Sequence, residues 1–294
     1  MGRLRAGAIL AGFALLTLPL IPVQEALLRW APARARRLPH WYHKRVCGLL
    51  GVRVHIEGEA VKGRPLLLVS NHTSWLDILV LSAVAPVSFV SKKEVGSWPG
   101  VATLARLQRT IFVDRERRTD VGEATNEITA RLAMGDAIVL FAEGTSSDGN
   151  RVLPFRSSLF AAVKPSARST APATGAVAQM VSIVYTRLGG VPLGRAGRPR
   201  VAWYGDMEMT GHVWNVLKAG PIDVRVRIGP PAPLESFADR KELARKSENE
   251  VREHVVRILR GRPAGAPVSI AEPPEAQRKT RFTGGSPHTD SKWR

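Results

Sequence analysis

The chain has 294 residues, 44% of them hydrophobic and 23% charged, with a single cysteine, Cys47. That much apolar material builds one large domain or two modest ones, and it excludes a disordered chain, a collagen-like repeat, a disulfide-stapled scaffold and a cysteine-rich zinc site. The formal net charge of +18 seeks polyanions: nucleic acid, anionic lipid headgroups or phosphorylated substrates.

The most hydrophobic stretch comes first. Ala6 to Val23 holds no charge, and as a helix it is roughly 27 Å long, at the short end for spanning a bilayer. The first 64 residues carry eleven Lys or Arg against three acidic residues, so nearly half the excess charge brackets this segment. A cleaved signal peptide fits poorly, because Pro19, Pro22 and the following basic run offer no small-residue cleavage site. Two membrane modes stay open for residues 1–50. One is a single span. The other is a Pro-broken helix dipping into one leaflet, with Arg29 to Arg45 and the interleaved Trp30, Trp41 and Tyr42 at the headgroups. A buried core helix is the bland alternative.

From Gly51 to about Arg260 strand-like and helix-like patterns alternate. Val52–Ile56 alternates apolar and polar residues, while Leu66–Ser70 and Ala137–Phe141 are short apolar runs suited to the inside of a sheet. Thr110 to Arg115 reads as a short apolar strand ending on an acid and an arginine. Val121–Met134 reads as a helix with Val121, Ala124, Ile128 and Leu132 on one side. Met180–Tyr185 is a β-branched run, Asp223–Ile228 alternates with Val224, Val226 and Ile228 on one face, and Leu243–Leu259 is an amphipathic helix. Strands separated by helices imply an α/β domain, residues 51–260, around a central, mostly buried sheet. Gly189–Arg200 reads as a mobile surface loop. Residues 261–294, rich in Gly, Pro, Ser and charge, read as a disordered tail.

The candidate chemistry begins after the strand Leu66–Ser70, at Asn71-His72-Thr73-Ser74-Trp75-Leu76-Asp77. Five positions apart on one helix, His72 and Asp77 would diverge by ~140°. They meet only if His72 lies in the turn before a helix and Asp77 in its first turn. Ser74-x-x-Asp77 is a capping-box pattern that starts a helix at Ser74; capping alone would therefore explain Asp77. A second acidic segment, Glu143-Gly144-Thr145, follows the strand Ala137–Phe141, where α/β sheets place ligand sites. Gly144 permits close backbone approach, and Glu143 can bond a substrate hydroxyl or brace the loop. Between the two, Thr110-Ile111-Phe112-Val113-Asp114-Arg115 ends on an acid and an arginine, whose fork suits phosphate. An Asp114–Arg115 surface pair is its plain reading.

In this order and at these separations, the three segments resemble the PlsC-like glycerolipid acyltransferases, the family that includes the 1-acylglycerol-3-phosphate acyltransferases. His72 to Asp77 matches the family's His-x4-Asp block, Phe112 to Arg115 its strand ending in Asp-Arg, and Phe141 to Ser147 its Phe-Pro-Glu-Gly-Thr-Arg-Ser block. Met180 to Tyr185 stands where the family has a strand usually punctuated by proline. The departures are Ala142 for Pro, Ser146 for Arg, Arg109 for the glycine before the second-block strand, and the missing fourth-block proline. In the family the third-block arginine helps hold the acceptor phosphate, so here that task falls to Arg109, Arg115, Lys92, Lys93 or Arg156, beside Glu143, Gly144 and Thr145.

The resemblance implies a fatty acyl group moving from acyl-CoA or acyl-carrier protein to the free hydroxyl of a lysolipid. His72 acts as general base and Asp77 orients it, without cofactor, metal or acyl-enzyme. Backbone N–H groups near the His72 turn are the expected donors to the thioester oxygen, and Cys47 has a packing role. The first acceptor it implies is 1-acyl-sn-glycerol-3-phosphate, giving phosphatidic acid. The Arg-Thr-Ile-Phe-Val-Asp-Arg and Glu-Gly-Thr-Ser-Ser versions are similar to the branch that acylates lyso-ornithine lipid, which is the alternative. The expected place is the cytoplasmic face of a bacterial inner membrane. The competing class is a non-catalytic basic protein that binds lipid or nucleic acid, against which no RRM-like, KH-like or zinc-finger spacing is present.

Overall fold

The structure, a computed structural model, describes residues 2–113, 118–161 and 175–261. In chain order its elements are α1 (Gly2–Trp30), α2 (Pro32–Ala35), α3 (Leu38–Leu50), β1 (Val52–Glu57), β2 (Leu66–Ser70), α4 (Leu76–Val84), β3 (Ser88–Lys92), α5 (Val101–Leu107) and β4 (Ile111–Val113). There follow α6 (Arg118–Ala133), β5 (Ala137–Phe141), β6 (Val177–Leu188), β7 (Val191–Pro192), α7 (Met209–Ala219), β8 (Ile222–Ile228), β9 (Ala232–Pro233) and α8 (Arg240–Leu259). The expected α/β architecture is present, with strand order β1-β8-β6-β2-β5-β3-β4. β2 is parallel to both β5 and β6, whereas β6 and β8 run antiparallel, so the sheet is mixed.

Every residue of β2 is buried. Because side chains alternate across a strand, Leu66 and Leu68 enter the core beneath α1, α3, α4 and α7, while Leu67 and Val69 enter the core beneath α6 and α8. Ile128 and Leu132 of α6 are buried as their spacing predicts, whereas the side chains of Val121 and Ala124 lie outside the described residues. The tail from residue 262 also lies outside them.

The N-terminal segment is part of this body. Ala6 and Ile9 of α1 and Val46, Cys47 and Leu50 of α3 share a core cluster with the sheet. Arg5 donates to the carbonyls of Leu217 and Leu50, Thr17 pairs with the Tyr42 hydroxyl at 2.8 Å, and Gln24 donates to the carbonyls of Ala35 and Leu107, both at 2.9 Å. α1 is thus fastened along most of its length. The expected break at the prolines is absent, for α1 runs through Pro19 and Pro22. Each proline removes one i→i−4 bond, and the carbonyls released are those of Leu15 and Leu18, two residues on the exposed side.

Arg109 lies away from the candidate site. It precedes β4, whose parallel register with β3 puts it at the N-terminal edge of the strands. Its guanidinium is bound there by Asp136 at 2.6 Å, just ahead of β5. An acceptor-binding role for Arg109 is therefore set aside, because Asp136 occupies its charge at the opposite edge of the sheet. Its backbone explains the departure from the family pattern: φ is +62°, a conformation that favours glycine.

Candidate active site

The parallel strands β2 and β5 end side by side, Ser70 level with Phe141, and the two chains leaving them build the site. Asn71 extends the ladder with its side chain, donating to the Ile183 carbonyl at 3.0 Å and accepting the Ile183 N–H at 2.9 Å. That bidentate clamp fixes where the chain turns. His72, Thr73, Ser74 and Trp75 make the turn, and α4 starts at Leu76, two residues beyond the expected Ser74. The capping box is half formed. Asp77 accepts the Ser74 N–H at 3.0 Å, but the Ser74 hydroxyl is buried and makes no bond.

Asp77 is fully buried and ringed by donors. Its Oδ2 accepts from His72 Nδ1 at 2.8 Å, Thr73 N–H at 2.7 Å and Ser74 N–H at 3.0 Å. Its Oδ1 accepts the Tyr185 hydroxyl at 2.6 Å. With the carboxylate acting only as acceptor, His72 Nδ1 is the donor, so the neutral form of the ring has its lone pair on Nε2. The His72 side chain is 19% exposed, so the ring is reachable. Its face stacks on Phe141 at 4.0 Å, and Phe89 backs Phe141 at 6.1 Å. Ring position and tautomer are both held.

Tyr185, at the far end of β6 in an apolar run, is the participant that sequence reasoning misses. Its cue is one polar-tipped aromatic closing a buried strand. Burial and the neighbouring Asp77 charge raise its hydroxyl well above the usual range, so it remains a donor.

Glu143 sits beneath the turn at 1% exposure and accepts the His72 N–H at 3.3 Å. This geometry matches the loop brace among its two expected roles. Burial pushes its carboxyl up to about 8, with the Asp77 charge adding to the shift and hydrogen bonds from His72 and Leu153 opposing it. Gly144 has φ +72° and its N–H closes onto the Phe141 carbonyl. Thr145 is exposed. Ser147 N–H donates to the His72 carbonyl at 2.9 Å, tying the two loops together.

Lys92 ends β3 at this same edge and Lys93 follows it, both exposed. The exposed Arg156 joins the edge through its N–H, which donates to the Ala142 carbonyl. Arg115 lies outside the described residues. Within the turn the N–H groups of residues 72–74 are engaged, while that of Trp75 makes no hydrogen bond among the described residues, so a donor at the His72 turn stays available as expected. Among the described residues, the N–H groups of Thr145 and Ser146 make no hydrogen bond. Cys47 is buried, and burial raises its thiol to about 12, as a packing residue requires.

Beside the turn opens a cavity of about 540 Å³, predominantly apolar, lined among others by Ile9, Phe13, Tyr42, Trp75, Ile78 and Val213. Trp75 is held by its indole N–H donating to His212 Nδ1 at 3.1 Å. Burial lowers the His212 pKa, favouring the neutral acceptor.

Known proteins resemble this chain along most of its length. A profile of the family described as Acyltransferase matches residues 51–185. The chain is 48% identical over 262 residues to the lyso-ornithine lipid O-acyltransferase of Brucella abortus, covering 89% of this chain and 98% of that one. It is 45% identical to the Rhizobium meliloti protein of the same name, covering 86% of each. To the 1-acyl-sn-glycerol-3-phosphate acyltransferase of Neisseria meningitidis it is 30% identical, covering 64% of this chain and 68% of that one. The crystal structure of the 1-acyl-sn-glycerophosphate acyltransferase PlsC from Thermotoga maritima shares the fold, with a TM-score of 0.62 and 24% identity over 88% of this chain and 98% of that one.

Glu143 gives a pH test. Its carboxyl rises from the ordinary 4.5 to about 8 on folding, so the folded chain holds the proton more tightly than the unfolded one. The linked stabilisation is complete below about pH 4.5 and is lost as pH rises through about 8. Glu143→Gln stays neutral, so its melting temperature should gain on the wild type steadily from pH 5 to pH 8. A constant difference across that range would show that the carboxyl is ionised in the fold.

Proposed function

This chain belongs to the PlsC-like acyltransferase family, an O-acyltransferase by that membership, and from that premise we propose that it esterifies the free hydroxyl of lyso-ornithine lipid. One observation carries the chemistry: a partly exposed imidazole held through Nδ1 by a buried carboxylate, in a turn whose Trp75 lines an apolar cavity. Neutral His72 Nε2 takes the hydroxyl proton as the oxygen attacks the thioester carbonyl of acyl-CoA or acyl-carrier protein. The new C–O bond forms, the C–S bond breaks, and the proton passes from the imidazolium to the departing thiolate. Asp77 stabilises that imidazolium, and the substrate hydroxyl stands where a serine enzyme carries its own nucleophile. The unengaged N–H groups of Thr145 and Ser146 are the proposed donors to the thioester oxygen. The cavity is of a size for one long acyl chain.

Lyso-ornithine lipid, the alternative acceptor on sequence grounds, replaces lysophosphatidic acid as the preferred reading. Relatives with that activity in their names are 45–48% identical over most of the chain. The position where the family carries its phosphate-holding arginine is Ser146, whose hydroxyl donates to the Trp203 carbonyl at 2.5 Å. Offered a thioester donor and a panel of lysolipids, the protein should release thiol faster with lyso-ornithine lipid than with lysophosphatidic acid. His72→Ala should lower that rate by about 10²–10⁴-fold. A preference for lysophosphatidic acid would overturn the acceptor assignment, and thiol release from neither would leave a lipid-binding protein.

The membrane mode follows from how α1 is tied down. The helix is long and apolar enough to cross a bilayer, yet bonds at Arg5, Thr17 and Gln24 hold it along the domain. A perpendicular span would have to drag the domain into hydrocarbon. We infer a monotopic dip instead, with Leu4, Leu15, Leu18 and Trp30, each at least 65% exposed, in one leaflet. Arg45, stacked over Trp41 at 5.4 Å, then lies among the headgroups on the cytoplasmic face, where thioester donors are found. Leu15→Asp with Leu18→Asp should shift the folded protein from vesicles of anionic lipid to the supernatant on centrifugation. Retention on the vesicles would contradict the dip.

A further inference from the structure

Four charged side chains that the acyl-transfer chemistry leaves unused stand together beside the His72 turn. Asp148 follows Ser147, whose N–H is bonded to the His72 carbonyl. Arg151 and Arg198 line the same small recess as Asn71 and Thr73. Asn150 knits the group, its side-chain amide donating to Asp148 Oδ2 at 3.0 Å and to the Arg195 carbonyl at 3.2 Å. Its Oδ1 accepts from Arg198 Nη1 at 2.7 Å. Packing is tight, for a Cβ on Gly149 would sit 3.1 Å from Thr73 Cγ2 and 3.6 Å from Arg198 Cβ.

Ser146 explains why these cations are here. Its hydroxyl holds the Trp203 carbonyl, and the Trp203 N–H holds the Thr73 carbonyl at 2.9 Å. Together they fasten the segment carrying Arg195 and Arg198 against the catalytic turn. The family's arginine is lost at one position, and positive charge returns from another part of the chain.

The signs of the charges matter as much as their number. Partial burial pushes the Asp148 carboxyl up, but hydrogen bonds from Asn150 and the charges of Arg151 and Arg195 hold it below the usual carboxylate range. It is therefore an anion at neutral pH. Among the described residues no ion pair within 4.0 Å joins Asp148 to any of the three arginines, and only two of its four acceptor sites are used, both by Asn150. The Arg198 Nε is buried and has no partner. Asp148 and the arginines thus share one loop cluster without an ion pair among the described residues, and Asp148 keeps two acceptor sites unused.

We propose that Asp148 and Arg198 are the acceptor headgroup clamp, Asp148 taking a free ammonium and Arg198, with Arg151, taking a carboxylate. This rests on the acceptor reading above and specifies it. Ornithine joined to a lipid through one amine keeps one ammonium and one carboxylate, the complement of this rim. A phosphomonoester brings a dianion against Asp148 and has no ammonium to satisfy it.

The test compares lyso-ornithine lipid with its norvaline analogue, which lacks only the free amine, at saturating thioester donor. Wild type should favour the ornithine acceptor by about tenfold in kcat/KM, the size of one charge-assisted contact. Asp148→Asn keeps an oxygen for the Asn150 N–H and should accept both equally, its loss falling on the acceptor KM. Arg198→Gln should lower both acceptors by the same factor and keep the tenfold ratio. A merely structural Asp148 would depress both acceptors alike and leave the ratio intact, which overturns the clamp. So does a wild-type ratio near one, a result needing no variant. If wild type acylates neither acceptor, the acceptor reading itself has failed, and the clamp with it.

Discussion

The fully buried Asp77 carboxylate takes hydrogen bonds from four donors, and the surrounding backbone is arranged around that requirement. Two donors are the N–H groups that open the turn before α4, so the carboxylate sets the path of the chain. One is the imidazole, so the same atom sets the ring's tautomer. The fourth, the Tyr185 hydroxyl, comes from β6 and binds the arrangement to the far side of β2. Capping of the turn and orientation of the imidazole are one interaction here. A buried charge is tolerable only when it is this fully bonded.

The sheet supplies the rest of the precision. With β2 parallel to both neighbours, its C-terminal end delivers Asn71 and His72 next to the chain leaving β5. Glu143 and Ser147 then bond the His72 backbone from below and beside. The helices over one face form the cavity, and α1 is among them, so the long apolar helix also walls the space that Trp75 of the His72 turn lines.

Much of this was legible in the residues. β2 and β5 announce themselves as apolar runs, and α8 by its amphipathic period, because burial on a fixed face dictates composition. The His72–Asp77 pairing is legible because five residues can close only across a turn. Other parts are invisible locally. α7 begins after Glu208, which caps through Thr210 and Gly211, and glutamate is not among the preferred caps. Arg109 takes a glycine's conformation while its side chain binds Asp136, which no spacing reveals. Tyr185 reaches Asp77 across 108 positions. The loop from Gly189 to Arg200 reads as plain surface, yet it carries two of the arginines at the rim. The Glu208 cap aside, each miss is a long-range contact, and each hit a local pattern.

The central claim is that Asp77 holds His72 as the Nδ1–H tautomer, leaving Nε2 to take the acceptor proton. Nitrogen NMR of histidine-labelled protein in detergent, with His72 assigned by its loss in His72→Gln, reads this directly. At neutral pH the account predicts a protonated, pyrrole-type signal for Nδ1 of His72 and an unprotonated, pyridine-type signal for Nε2. The reverse pattern, with the proton on Nε2, would contradict it.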